Sequence, residues 1–121
     1  MTQQISNKNQ ANLQSGWEEA YAQHGNNTLW QDDPIPFLPK VIQLLHEQGL
    51  NTAIDLGCGD GRNLTALAQA GLLCTGIDLS KTALNRVGQR LSKLGVPAFL
   101  IPGDIAELPF ADQSVSAATC F

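Results

Sequence analysis

Residues 55–61 read Asp55-Leu56-Gly57-Cys58-Gly59-Asp60-Gly61 and lie between a predicted strand and a predicted helix. Glycines let the backbone turn tightly and let a ligand approach the main chain without meeting Cβ atoms. The start of the following helix supplies free N–H groups and a partial positive charge. We therefore interpret this stretch as a ligand-binding loop.

The spacing of its glycines differs from that of two common phosphate-binding motifs. The dinucleotide fingerprint G-x-G-x-x-G needs a glycine where this chain has Arg62, and the Walker loop G-x-x-x-x-G-K-[ST] is absent. Two carboxylates, Asp55 and Asp60, flank the loop glycines and suit a cation better than a phosphate. The loop therefore predicts a nucleoside-like ligand that lacks a pyrophosphate and carries positive charge.

Short apolar runs alternate with helical segments around this loop. Helices are predicted over residues 62–70 and 81–94, the second capped by Ser80. Apolar runs without polar alternation are typical of strands covered on both faces, and their alternation with helices predicts a parallel sheet in an α/β fold. The predicted strands are 52–56, 72–77, 96–101 and 115–121.

The N-terminal part of the chain has a different pattern. Residues 1–12 are rich in Gln and Asn, so we expect a flexible leader, followed by N-terminal helices over 13–50. A first helix is predicted over 11–24, because three apolar residues recur there at four-residue spacing. These residues are Leu13, Trp17 and Tyr21.

A second N-terminal helix is predicted to end at Gly49. Its expected cap is Asp33 or Ile35. Pro39 is expected in or near the first turn, where backbone N–H groups are unpaired anyway.

Two further acidic residues follow predicted strands. Asp78 ends the second apolar run, 21 positions after Gly57, close to the offset at which an acid meets a ribose diol. Asp104 follows the third run. Either acid alone is more often a helix cap or a solvated turn. Since carboxyl ends of parallel strands share one edge of the sheet, we expect both beside Asp55 at a ligand site.

Composition restricts the possible partners. The chain has 121 residues, which fits one domain, and a formal net charge of −4, which argues against nonspecific binding to nucleic acid or anionic lipid. No apolar run approaches the roughly 18–20 residues that cross a bilayer, and the polar N-terminus does not resemble a secretory signal. We expect a cytoplasmic protein that binds neither nucleic acid nor membrane.

The cysteines and histidines do not predict a metal site. Three cysteines stand far apart, and neither His24 nor His46 has a partner at metal-ligand spacing. Free thiols in a reducing compartment are the simplest interpretation. Cys120 is expected to be an inert buried thiol rather than a nucleophile.

At three places the chain resembles class I S-adenosylmethionine-dependent methyltransferases. These are 55–63, 76–80 (Gly-Ile-Asp-Leu-Ser) and 103–110 (Gly-Asp-Ile-Ala-Glu-Leu-Pro-Phe), which occur in the family's order and spacing. The resemblance implies a Rossmann-like sheet with strand order 3-2-1-4 and helices on both faces. Trp17, Tyr21 and Trp30, with the Pro-Phe-Leu of 36–38, are similar to the small-molecule branch of tellurite and thiopurine methyltransferases.

The resemblance implies roles at the methionine end of the cofactor. The loop backbone at Gly57, Cys58 and Gly59 would contact the aminocarboxylate, and Asp55 would lie near the ammonium. Cys120 falls where the family's fourth strand lines the cofactor through backbone atoms.

It also implies roles at the nucleoside end. Asp78 would accept hydrogen bonds from the ribose hydroxyls, with Leu79 against the adenine ring. Asp104 would accept a hydrogen bond from the adenine amino group, and the N–H of Ile105 would donate one to a ring nitrogen.

Three more residues are possible cofactor contacts. The N-terminal helices cap the cofactor in this branch, so Tyr21 or Trp30 could close over it. For both, and for Trp17, core packing is the commoner role. Arg62 opens a helix, where a cation opposes the helix dipole, so the cofactor carboxylate or Asp60 is its plausible partner.

The expected function is transfer of a methyl group from S-adenosylmethionine to a small-molecule acceptor, which leaves S-adenosylhomocysteine. The resemblance covers residues 50–121 and reaches only the fourth of seven strands, so we expect an N-terminal portion that is inactive alone, with no catalytic residue identified. Its cofactor-binding domain spans 51–121. Alternatives are a noncatalytic nucleotide-binding or interaction module and an NAD-dependent oxidoreductase. The uncharged fourth strand also predicts a homodimer.

Overall fold

A four-stranded parallel sheet forms the centre of the computed structural model, which describes residues 2–23 and 33–121. The strand order is β3-β2-β1-β4, so the predicted order is confirmed. The elements in chain order are α1 (Thr2–Gln23), α2 (Leu38–Glu47), β1 (Thr52–Leu56), α3 (Arg62–Gln69), β2 (Leu73–Asp78), α4 (Lys81–Leu94), β3 (Phe99–Pro102) and β4 (Ala118–Thr119).

Strand register sets which residues meet at the carboxyl edge of the sheet. The β1–β2 pairing runs from Thr52 opposite Leu73 to Leu56 opposite Ile77. Asp55 is paired with Thr119 of β4 on its other side. On the far side of β2, Asp78 is paired with Pro102 of β3. The segments that follow β1, β2 and β3 therefore leave the sheet at the same edge.

The core lies between the sheet and the amphipathic helices. Burial of the aliphatic side chains of the helices supplies the main driving force for the fold, at about 1.5–3 kcal/mol each. Ser80 caps α4 as predicted, since its hydroxyl accepts the Ala83 N–H at 3.0 Å. Buried aliphatic residues of the helices are Leu38, Leu45, Leu64, Leu67, Leu84, Val87 and Leu91.

The two N-terminal helices begin elsewhere than predicted. α1 begins at Thr2 rather than residue 11, so it includes the predicted leader from that point. No glycine or proline interrupts the helix before Gly16. The cap of α2 is Phe37 and not Asp33 or Ile35, although Pro39 does lie in the first turn.

The two outer strands are shorter than predicted. β3 begins at Phe99, because the Val96 N–H bonds to the Leu91 carbonyl at the end of α4 and Pro97 has no N–H to donate. β4 is limited to the two residues that pair with β1. In the described part of the chain, no helix combines the length and apolar character needed to cross a membrane.

Candidate functional site

A cavity of about 420 Å³ opens where the strand ends meet. Most of the predicted site residues line it, together with five others. The predicted ones are Tyr21, Asp55, Gly57, Cys58, Gly59, Arg62, Asp78, Leu79, Asp104 and Ile105. The others are Trp17, Asp60, Asn63, Gly103 and Phe121.

The glycines of the loop serve different purposes. All three have positive φ, at 67° for Gly57, 56° for Gly59 and 90° for Gly61. A Cβ on Gly61 would lie 2.0 Å from Cγ2 of Val87, and one on Gly59 would lie 2.6 Å from the Tyr21 hydroxyl. At Gly57 a Cβ would meet nothing. The last two glycines therefore allow close packing, whereas the first leaves its backbone open to the cavity.

Asp78 ties the glycine loop to the end of β2. One carboxylate oxygen accepts the N–H of Gly59 and the other that of Ser80, each at 2.8 Å. A carboxylate has about four lone-pair sites, so this one can accept two further hydrogen bonds. Asp78 therefore both shapes the loop and keeps acceptor capacity at the cavity.

Asp55 is a buried carboxyl at the base of the cavity, only 3% exposed. It accepts a hydrogen bond of 2.7 Å from the Thr119 hydroxyl. Burial raises its pKa to about 6; the Thr119 hydrogen bond opposes this rise and the nearby Asp78 charge adds to it. A cationic ligand group beside Asp55 would favour the ionised form.

Asp60 is 2% exposed, and its Oδ2 is buried without a hydrogen-bond partner. Arg90 donates to the backbone carbonyl of Asp60 at 3.1 Å, not to this oxygen. Arg62 does not pair with Oδ2 either, so the suggested Arg62–Asp60 partnership is not formed through that atom.

Cys58 carries a buried thiol. Burial, with the charges of Asp55 and Asp78, raises its pKa far above the ordinary value. Because the thiolate is the reactive form, the raised pKa disfavours this cysteine as a nucleophile. Its N–H bonds to the Ile77 carbonyl at 3.0 Å, which holds the loop against β2.

The segment after β3 forms the opposite rim. One Asp104 oxygen accepts the Ala106 N–H at 2.9 Å, while the Gly103 N–H bonds to the Asp78 carbonyl at 3.0 Å. Asp104 is thus a turn-forming residue, as its commoner role suggests, and also lines the cavity. Ile105 is exposed beside it.

Helix α1 supplies an aromatic wall. The rings of Trp17 and Tyr21 lie 6.3 Å apart, and both line the cavity. Tyr21 is buried, in keeping with the commoner role of core packing, whereas Trp17 is 42% exposed and does not lie in the core. Their shared helical face was evident in the sequence, but the structure the face packs against was not.

The prediction that Cys120 is buried is wrong, because the residue is exposed. Cys120 is also not among the residues that line the cavity. β4 ends one residue earlier, and Phe121 lines the cavity instead, in an edge-to-face contact with Phe37 at 5.7 Å. Trp30 and His24 lie outside the described residues.

Asn63 is a site residue to which the sequence assigned no role. Its side-chain oxygen accepts the Ile35 N–H at 3.0 Å, which joins the segment before α2 to the loop. The sequence signal was its position at the end of the segment 55–63, two residues after the glycine loop. In the described ranges, no group of three or more His, Cys, Asp or Glu residues is arranged to hold a metal ion.

Comparison with known proteins gives a consistent family. A family model described as a methyltransferase domain matches residues 53–121. Sterol methyltransferase-like 2 of Botryococcus braunii is 30% identical over 91 residues, covering 65% of this chain and 23% of that protein. A protein of Geobacillus sp. (strain WCH70) that is named as a methyltransferase is 32% identical over 68 residues, covering 56% of this chain and 26% of that protein.

Solved structures agree. An S-adenosylmethionine-dependent methyltransferase from Thiobacillus denitrificans, in complex with S-adenosyl-L-homocysteine, is 30% identical with a TM-score of 0.59, covering 74% of this chain and 37% of that one. This chain therefore spans about a quarter of the length of the curated relatives it matches.

Proposed function

This chain belongs to the methyltransferase domain family, and we propose that its cavity binds S-adenosylmethionine for methyl transfer to a small-molecule acceptor. The observation that carries the proposal is the meeting of the glycine loop, Asp78 and Asp104 around one cavity of about 420 Å³. The cofactor supplies an activated methyl group on a sulfonium. The protein's task is then to bind and orient the reactants and to exclude water.

The methionine end fits the deep part of the cavity. Asp55 and Asp60 place two buried carboxyls there, and Oδ2 of Asp60 has no hydrogen-bond partner in the protein. A buried polar atom without a hydrogen-bond partner is costly, so a cationic ligand group that donates to this oxygen would offset part of that cost. We assign the ammonium to Asp55 and the carboxylate to the backbone of 57–59.

The nucleoside end fits the shallower part. Asp78 is half-buried and has the acceptor capacity that a ribose diol requires. The second oxygen of Asp104 is assigned to the adenine amino group, and the Ile105 N–H to a ring nitrogen. Leu79 is half-buried on the cavity wall and supplies apolar surface for the adenine ring.

We propose that the methyl acceptor binds on the aromatic side of the cavity. Trp17 and Phe121 bring exposed aromatic surface to the cavity. Such surface suits a small molecule with an apolar body. A noncatalytic binding module remains the alternative, and release of a labelled methyl group to diverse acceptors would separate the two.

Two further proposals concern the location of the protein and its pairing. We propose a cytoplasmic location, supported by the free state of Cys58, Cys74 and Cys120. We also propose that two copies pair along β4, which has β1 on one side only. Sedimentation showing a clean monomer at tens of micromolar would overturn the pairing.

Calorimetric titration tests the cofactor assignment. S-adenosylmethionine and S-adenosylhomocysteine should bind and NADH should not, because the loop lacks the glycine spacing for a pyrophosphate. Asp78→Ala should weaken binding by roughly ten- to a hundredfold, since charge-assisted hydrogen bonds are worth about 1.5–3 kcal/mol.

Asp112→Ala is the matched control, because it removes the same charge from an exposed turn outside the cavity. It should bind as the unaltered chain does. Equal affinity of a folded Asp78→Ala variant would contradict the ribose assignment.

A further inference from the structure

The carboxylate of Glu18, which lies inside α1 and not in its first or last turn, joins α1 to α4. Glu18 accepts hydrogen bonds from the backbone N–H groups of Lys81 and Thr82, and from the Thr82 hydroxyl at 2.5 Å. These two residues are the first of α4. Glu18 therefore caps the N-terminus of a helix more than sixty positions away.

A second contact runs in the opposite direction, from α4 to the end of α1. Arg86 donates to the backbone carbonyl of Tyr21 at 2.5 Å, and its guanidinium carbon lies 6.0 Å from the centre of the Tyr21 ring. Tyr21 lies in the last turn of α1, where helix carbonyls have no partner within the helix.

The two contacts are complementary. α4 has no acidic residue in its first turn, and α1 has no basic residue in its last turn. Each helix thus receives from the other the charge that its own dipole favours. Burial of Glu18 works against its charge, but the hydrogen bonds from Thr82 and Lys81 outweigh this and lower its pKa, so the carboxylate is ionised at neutral pH.

Two aromatic residues of α1 at these contacts face the cavity. Trp17 and Tyr21 line it, and the Tyr21 hydroxyl packs on Gly59 of the glycine loop. A movement of α1 away from α4 would therefore remove one wall of the cavity. A ligand beneath that wall could then leave.

We infer that Glu18 and Arg86 are positioning residues that hold α1 over the cavity and thereby set the rate at which the cofactor or its product leaves. The inference rests on the proposed function, since it needs a ligand under α1. Neither side chain lines the cavity. Their effect is expected on ligand kinetics through α1 and not through contact with the ligand.

The test compares two neighbouring glutamates of α1. Glu18→Gln removes the charge at the α4 N-terminus, whereas Glu19→Gln makes the same change at an exposed residue that accepts only from Gln23 of its own helix among the contacts described. Association and dissociation of S-adenosylhomocysteine are measured by surface plasmon resonance on the full chain.

Dissociation from Glu18→Gln should be roughly tenfold faster, with association no slower, because loss of a charge-assisted hydrogen bond opens the wall more often. Glu19→Gln should match the unaltered chain. A purely structural role for Glu18 would lower the melting temperature and leave dissociation within twofold, which would overturn the inference.

A second variant guards against misfolding. Thr82→Val removes the hydroxyl donor at 2.5 Å and keeps the backbone N–H groups, so a smaller acceleration of roughly threefold is expected. No change in dissociation from this folded variant would also overturn the inference. If the unaltered chain binds no S-adenosylhomocysteine, the proposed function fails and the inference with it, a result distinct from binding with equal rates.

Discussion

The two walls of the cavity are held in place by different forces. The strand-end wall, formed by the segments after β1, β2 and β3, is fixed by a parallel hydrogen-bond ladder and a buried core. The α1 wall, formed by helix α1, is fixed by a few polar contacts to α4 and by the packing of Tyr21 on Gly59. Substitutions in the strand-end wall should lower both the stability of the fold and the affinity for ligand. Substitutions in the α1 wall should lower mainly the affinity for ligand.

The largest expected effect is on the strand-end wall, at Gly61. Gly61→Ala should lower the free energy of unfolding by about 3 kcal/mol or more, because positive φ costs about 1–2 kcal/mol and overpacking against Val87 typically 1–3 kcal/mol. Gly57→Ala should cost only about 1–2 kcal/mol, since its Cβ would meet nothing. Urea unfolding of both variants checks this, and equal losses would show that packing against α4 does not matter.

The next effect concerns the buried carboxyl of the same wall. The pKa of Asp55 rises from 3.8 unfolded to about 6 folded. The stability it contributes is therefore complete below about pH 4 and is lost as pH rises through about 6. Asp55→Asn, which can still accept from Thr119, should be more stable than the unaltered chain by about 3 kcal/mol at pH 8 and no more stable at pH 3.5.

The same variant should lose ligand affinity, because the ammonium would lose its counter-charge. In the unaltered chain, affinity for S-adenosylhomocysteine should rise as pH increases from 5 to 7 and then level off. Thermal unfolding and calorimetry at each pH are the measurements. A variant with unchanged stability at pH 8 would show that burial of Asp55 carries no cost.

A smaller effect is expected at the rim of this wall. Asp104→Asn keeps an oxygen for the Ala106 N–H but replaces the other with an amide that cannot accept from the adenine amino group. Affinity for S-adenosylhomocysteine should fall roughly tenfold, the cost of one hydrogen bond. Affinity for the inosine analogue, which lacks that donor, should not fall. Parallel losses in calorimetry would identify Asp104 as a turn residue only.

The smallest effect on stability is expected on the α1 wall. Trp17→Ala should lower the free energy of unfolding by no more than about 1 kcal/mol, because 42% of Trp17 is already exposed in the folded chain. Its affinity for S-adenosylhomocysteine should nevertheless fall severalfold. A large loss of stability in urea unfolding would show that α1 is part of the core, and the contrast between the walls would disappear.

The contrast also explains what could be predicted from the sequence. The strand-end wall follows from local signals, since the loop 55–61 and the acids Asp78 and Asp104 adjoin strands whose parallel order brings their ends together. The α1 wall depends on contacts between residues more than sixty positions apart. Side-chain spacing showed that Trp17 and Tyr21 share a face but could not show what that face covers.

The error at Cys120 has a similar origin. An apolar run of seven residues suggested a strand over 115–121, but only two residues pair with β1, so the pattern of buried and exposed positions could not be extended to the end of the run. Burial there is determined by the partner strand and not by the run itself.

A crystal structure of this chain with S-adenosylhomocysteine would show directly where the ligand binds. We expect the ribose hydroxyls within hydrogen-bond distance of Asp78, the adenine amino group at Asp104 and the aminocarboxylate on the loop 57–59, beneath Trp17 and Tyr21. Ligand bound outside this cavity, or bound in it with the ribose turned away from Asp78, would overturn these assignments.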